Sequence, residues 1–281
     1  MFAKALPLTF VAVLLALPAL TLPALTLPAW AQDRIPSHCI ALAQAPGLEV
    51  LHHASFGAPL AEDRVRIRYI AHATFVIETS GGLVAATDYT GYLGGADVVP
   101  DVVTMNNAHS THWTSVPDPR IPHVLRGWDE GQGPAAHKLD LGEMLVRNVP
   151  TDVRSGDMGV RPNGNSIFVF EAAGLCIGHL GHLHHEPDSL QYAALGRMDV
   201  LMVPVDGGYT MGHATMAKVV RRLRSSVVLP MHWFSGASLE VFLNEMSAEF
   251  EVVRLEQPDI ELSLRDLPGR PTILVLMPEG L

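Results

Sequence analysis

Three apolar runs in this chain each deliver histidines at their C-terminal ends. Val102 to Met105 leads through Asn106 and Asn107 to His109 and His112, Leu175 to Gly178 leads to His179 and His182, and Val227 to Met231 leads to His232. Short apolar runs bounded by turn formers read as buried strands. A side chain at the end of a strand is held in a fixed place, and neutral imidazole is the commonest protein ligand for zinc and similar ions. Any one histidine taken alone is more often a hydrogen-bonded structural residue. Two pairs within tight loops, and a fifth directly after a strand, point instead to a metal site. They demand a fold that gathers the ends of separate strands at one edge.

Residues 1–31 carry one charge, Lys4, ahead of an apolar stretch ending Ala29-Trp30-Ala31, the small-x-small pattern of a signal cleavage site before Gln32. The stretch is long enough to span a bilayer, but Pro7, Pro18, Pro23 and Pro28 interrupt it, which favours a cleaved signal peptide over an uncleaved anchor. The expectation is a periplasmic or secreted protein with no stable membrane insertion after cleavage. Losing Lys4 with that segment takes the formal net charge from −10 to −11. No Lys/Arg-rich run offsets this acidity, and Arg221, Arg222 and Arg224 read as the solvated face of a helix, so nucleic acid is not an expected partner. Cys39 and Cys176 are the only cysteines. They could form one disulfide, or Cys176 could be a buried thiol within its strand.

Residues 32–63 form a Pro/Ala/Gly-rich lead-in, and residues 64–281 hold one large domain. Strand signals run from Val65 to Ile70, Thr74 to Thr79 and Leu83 to Thr87, the last leading into Asp88. The stretch from Thr114 to Lys138, rich in Pro, Gly and Trp, reads as a long irregular loop. Further strands are expected at Glu143 to Val149, Ile167 to Glu171, Asp199 to Val203, Glu251 to Leu255 and Thr272 to Met277. Met216, Val219, Val220 and Leu223 fall on one face of a helix, and Leu239 to Phe250 reads similarly. The pattern implies an α/β domain of two mixed sheets covered by helices.

The motif order resembles the metallo-β-lactamase superfamily, and within it the small hydrolases similar to ascorbate-6-phosphate lactonase, over roughly Arg64 to Trp233. In that family a first strand ends in Gly-His-Ala, here Ala71-His72-Ala73, and an Asp follows a later strand, here Asp88. The signature H-x-H-x-D-H then corresponds to Asn107-Ala108-His109-Ser110-Thr111-His112. A His-x-Gly-Asp strand end corresponds to His179-Leu180-Gly181-His182, and the last strand ends in His232. The resemblance implies a four-layer αββα sandwich, with metal ligands drawn from Asn107, His109, His112, His179, His182 and His232. Three positions depart from the family: Asn107 stands for a His, Thr111 for the Asp, and His182 for the bridging Asp.

Carried across by position, His109, His179 and Asn107 make a weakened first metal site, because an amide is a poor ligand for zinc. His112, His182 and His232 make a three-histidine second site with an open position for water, as in a catalytic zinc centre. One zinc is expected, two are the alternative, and the nearly all-imidazole set leaves iron or nickel as other candidates. Without the signature Asp, help for the attacking water falls to Asp88, His72 or Asp206, each equally suited to capping a turn. His184 and His185 are placed to hydrogen-bond a ligand rather than bind metal, and Tyr209-Thr210-Met211 matches a pocket-lining loop of relatives. His38, His52, His53, His123, His137 and His213 default to surface or loop. The implied function is a secreted zinc-dependent hydrolase of a small-molecule ester, lactone or phosphoester acting through metal-bound hydroxide. The alternative is a metal- or ligand-binding protein without turnover on the same scaffold. Oligomeric state is not readable.

Overall fold

The computed structural model describes residues 37–41, 59–95, 98–156 and 159–280. The expected signal peptide, its cleavage site, His52 and His53 lie outside them. One sheet holds β1 (Arg64–Ala71), β2 (Thr74–Thr79), β3 (Val84–Ala86), β4 (Val102–Met105), β5 (His123–Arg126) and β13 (Asp259–Ser263), in the order β13-β1-β2-β3-β4-β5. The other holds β6 (Lys138–Asp140), β7 (Met144–Arg154), β8 (Val160–Ala172), β9 (Leu175–His179), β10 (Val200–Pro204), β11 (Val227–Met231), β12 (Glu251–Arg254) and β14 (Thr272–Val275), in the order β12-β14-β11-β10-β9-β8-β7-β6.

Alternation along each strand explains the layers. Within β10, Val200 and Met202 face the other sheet, while Leu201 and Val203 face helices α3 (His213–Leu223) and α4 (Gly236–Met246). A strand buried on both faces reads as a continuous apolar run, which is why β10 and β11 lack polar alternation. The expected α/β sandwich of two mixed sheets is the one observed. Of its two outer layers, helices supply the one over the eight-stranded sheet. Over the six-stranded sheet the described residues supply loops instead: Tyr89, Leu93, Trp113, Ile121 and Trp128 pack on Ile70, Val76, Val103 and Met105. Among the described residues no helix is long and apolar enough to cross a membrane.

Several expectations are corrected. The long loop from Thr114 contains β5, which pairs in parallel with β4. β7 and β8 run well past Val149 and back from Val160, where strands ending at Val149 and beginning at Ile167 were expected, and take Pro150 and the Pro162-Asn163-Gly164 stretch into the paired hairpin. Helix α2 (Ser189–Leu195), too short for a periodic signal, is set by a capping box in which Asp188 accepts from the Gln191 N–H while the Gln191 side chain accepts from the Asp188 N–H. Cys39, on the short α1 (His38–Ala41), and Cys176 form a disulfide, their Cα atoms 5.8 Å apart. Since β9, β10 and β11 run parallel, their C-terminal ends share one edge. Loops leaving that edge meet those leaving β1, β3 and β4.

Candidate metal centre

At this edge the ring nitrogens of three histidines face one another. His112 Nε2 lies 2.8 Å from His182 Nδ1 and 3.1 Å from His232 Nε2. His72 joins them, its ring 4.0 Å from that of His232, and one nitrogen each of His72, His112 and His232 lie within 4.8 Å of each other. His72 Nε2 is buried and has no hydrogen-bond partner among the described residues.

Carboxylates behind the rings decide how they point. His112 Nδ1 donates to Asp88 Oδ2 at 2.6 Å, and Asp88 Oδ1 accepts the Asn106 N–H at 2.8 Å. His232 Nδ1 sits 3.0 Å from Asp206 Oδ2, a contact too bent for an aligned hydrogen bond. Asp206 is fixed in turn by the N–H groups of Gly208 and Thr210, both at 2.9 Å, and by the Thr210 hydroxyl at 2.6 Å. A carboxylate at Nδ1 keeps the proton there, so the Nε2 lone pairs of His112 and His232 are turned toward each other.

Backbone strain marks the same residues. Among the described residues, six other than glycine adopt positive φ, and three of them are His72 (47°), Asp88 (41°) and His232 (56°). Such conformations concentrate at functional sites, held by surrounding bonds. Here the His72 carbonyl accepts both the His232 N–H and the Tyr69 hydroxyl, each at 2.7 Å.

Burial, then the neighbouring imidazoles, pushes His72 down to about 3 and His112 and His182 well below the usual imidazole value. Burial pushes Asp88 up to about 7, against the opposing pull of His179 and the Asn106 N–H. Burial alone would raise Asp206 too, but His232, the Thr210 hydroxyl and the two amides outweigh it and hold it low. The rings of His72, His112 and His182 are therefore neutral near pH 7, the form that ligates metal. Converging lone pairs, with an orphaned buried nitrogen beside them, fit a metal ion.

The other expected residues are placed differently. His179 is fully buried, but its Nε2 donates to the Ala73 carbonyl at 2.8 Å and its Nδ1 accepts the Gly181 N–H at 3.2 Å, so neither nitrogen reaches the cluster. Asn107 donates to the Gly164 carbonyl at 2.8 Å. His109 is exposed, stacks on His182 with centroids 5.3 Å apart, and has Nδ1 3.0 Å from the Thr111 hydroxyl. The expected first metal site of His109, His179 and Asn107 is thus not assembled, because its two buried members, His179 and Asn107, are committed to backbone carbonyls. Asp88 and Asp206, expected to help the attacking water, lie against the Nδ1 atoms of His112 and His232. His184 accepts the Arg154 N–H at 2.7 Å. His38, His123, His137 and His213, expected at the surface or in loops, are all partly buried; His213 Nε2 lies 3.1 Å from the Val205 carbonyl. Sequence reasoning missed Asn165, whose Oδ1 accepts the His182 N–H at 2.8 Å, and Arg154, which binds the Asp206 loop. No periodic signal announces either.

A family profile described as "Beta-lactamase superfamily domain" matches residues 66–232. A UPF0173 metal-dependent hydrolase of Thermococcus kodakarensis is 25% identical over 224 residues, covering 71% of this chain and 100% of its own length. Another, from Pyrococcus horikoshii, is 26% identical over 227 residues with the same coverage. Among solved structures, one from Thermotoga maritima, assigned as a Zn-dependent hydrolase of the metallo-β-lactamase superfamily, superimposes with TM-score 0.54 and 26% identity, over 75% of this chain and 98% of that one. A metallo-hydrolase from Ignicoccus hospitalis gives 0.52 at 18% identity, over 78% and 97%, and so shares the fold. The chain belongs to the β-lactamase superfamily. Within it, the chain is a hydrolase of the metallo-β-lactamase fold.

Proposed function

We propose that this protein is an exported hydrolase that uses one zinc ion, held by His112, His182 and His232, to cleave a small-molecule ester, lactone or phosphoester. The observation that carries the reading is the pair of inward lone pairs on His112 and His232, 3.1 Å apart and each backed by a carboxylate. Without a shared cation, two such acceptors repel. An all-imidazole set favours zinc over manganese or magnesium. When bound, the ion would supply Lewis acidity and a water of lowered pKa. The chain's own residues do the rest. Asp88 and Asp206 fix the imidazole tautomers, and His72 Nε2 is left to accept a hydrogen bond from a nucleophilic water or the substrate. Tyr209 and Phe234, 71% and 62% exposed with centroids 5.3 Å apart, form an aromatic rim beside His72 and His232 suited to a small organic molecule.

Export is supported by the N-terminal signal pattern and by the Cys39–Cys176 disulfide, which suits an oxidising compartment. Metal analysis of the purified mature protein, run with hydrolysis assays on ester, lactone and phosphodiester panels, tests the whole. One equivalent of zinc and chelator-sensitive turnover are expected. Full activity after chelation would overturn the mechanism, and metal without turnover on any panel would leave a binding protein.

A further inference from the structure

Next to the imidazole cluster lies a cleft of about 250 Å³, lined in part by His109, Arg154, Arg161, His182 and His184. Among the described residues no carboxylate lines it, although the chain as a whole carries a net charge of −10. Among the described residues neither arginine forms an ion pair with an acidic side chain. Arg154 spends one guanidinium nitrogen, Nη2, on the carbonyls of Gly208, Tyr209 and Thr210 at 2.7, 2.8 and 2.6 Å, which fixes the cation in place while neutralising none of its charge. Among the described residues Arg161 makes one hydrogen bond, a long one of 3.4 Å to the Gly164 carbonyl. Gly164 makes room for that side chain: a Cβ there would fall 2.8 Å from Arg161 Nε. His184, whose Nδ1 accepts the Arg154 N–H, carries its proton on Nε2, which is buried and has no partner among the described residues.

A preorganised cation, a second cation with no acidic partner among the described residues and a histidine with an unpaired N–H, all lining one cleft beside His182, are the elements of an anion site. We propose that this cleft binds an anionic group of the substrate, a carboxylate or a phosphate, remote from the bond that is cleaved. The proposal rests on the hydrolase reading for the word substrate, but the binding itself does not.

Isothermal titration of the metal-loaded protein with phenylphosphonate, benzoate and benzyl alcohol tests it. These probes share a ring and differ in charge. The wild type should bind the two anions at least tenfold more tightly than the alcohol. Arg161→Gln should weaken the anions about tenfold and Arg161→Glu further, with the alcohol and the metal content unchanged. Whichever anion loses more identifies the group the cleft was built for. If both anions bind the two Arg161 variants as they bind the wild type, the proposal is overturned. A protein that binds anions in this Arg161-dependent way yet hydrolyses no panel substrate would overturn the hydrolase reading and leave the anion site standing. Unchanged thermal unfolding of the variants separates lost binding from lost folding.

Discussion

Two buried polar clusters in this molecule obey opposite rules. Around Glu171 the carboxylate and the guanidinium are both matched. The carboxylate accepts the Ser37 hydroxyl at 2.6 Å, the His38 N–H at 3.1 Å and Arg147 Nε at 2.7 Å. Both remaining Arg147 nitrogens donate to the carbonyls of Ala194 and Leu195. At the histidine cluster, acceptors face acceptors and His72 Nε2 has no partner among the described residues. A buried polar group without a partner costs free energy. The first cluster therefore ties the segment around Cys39 to the sheet, and the second stores an unmet demand for a cation. Burial alone does not separate structure from function. The balance of donors and acceptors does.

The sharpest way to break this contrast is to remove one member of each cluster. His232→Ala should abolish metal binding and cut hydrolysis by at least a hundredfold, with little loss of thermal stability in the metal-free protein; metal content and turnover measured on one preparation check it. Glu171→Gln should do the reverse, since it leaves Arg147 buried beside a neutral amide. The expected cost is about 3 kcal/mol of stability with metal content unchanged, read by denaturant unfolding. Burial alone would raise the Glu171 carboxyl, but Ser37, Arg147 and His38 outweigh it and hold it below 4.5. A depressed carboxylate contributes stability that is complete above about pH 4.5 and is lost as pH falls through its folded value. The acid limb of the unfolding profile should therefore flatten in Glu171→Gln. Were metal content to fall in this variant, the two clusters would not be independent.

Smaller effects sharpen the picture. Asp206→Asn should weaken metal affinity about tenfold to a hundredfold while leaving one equivalent bound at saturation, as titration against a competing chelator would reveal. Asn107→His should leave the stoichiometry at one. The family comparison of motifs alone would expect it to rise toward two, but His179 is already committed to the Ala73 carbonyl and the Gly181 N–H. A second tightly held equivalent in that variant would mean that His179 can turn.

The sheets were legible because apolar runs such as Val227 to Met231 have few alternatives to a buried strand, and the motif order placed their ends together. Less legible was anything decided by a hydrogen bond across the fold. His179 and His182 look equivalent in the chain, yet one binds backbone and the other faces His112. Asp88 and Asp206 were visible as strand-end carboxylates, but their part in orienting imidazoles depends on which nitrogen each meets. Strands expected to end at Val149 and begin at Ile167 missed much of the β7–β8 hairpin, and with it the cleft that Arg154 and Arg161 line.

The rings of the cluster come from distant parts of the chain: His112 lies 70 positions from His182 and 120 from His232. No hairpin or single sheet carries enough of them to capture an ion, so the centre exists only once both sheets have closed on each other. Closing such long loops is slow and belongs late in folding. An ion added during refolding should leave the folding rate unchanged and slow unfolding instead, because its interactions are absent from the transition state. Metal acquisition in this protein is then a step taken by a finished fold, and the loaded state is kept by the slowness of its opening.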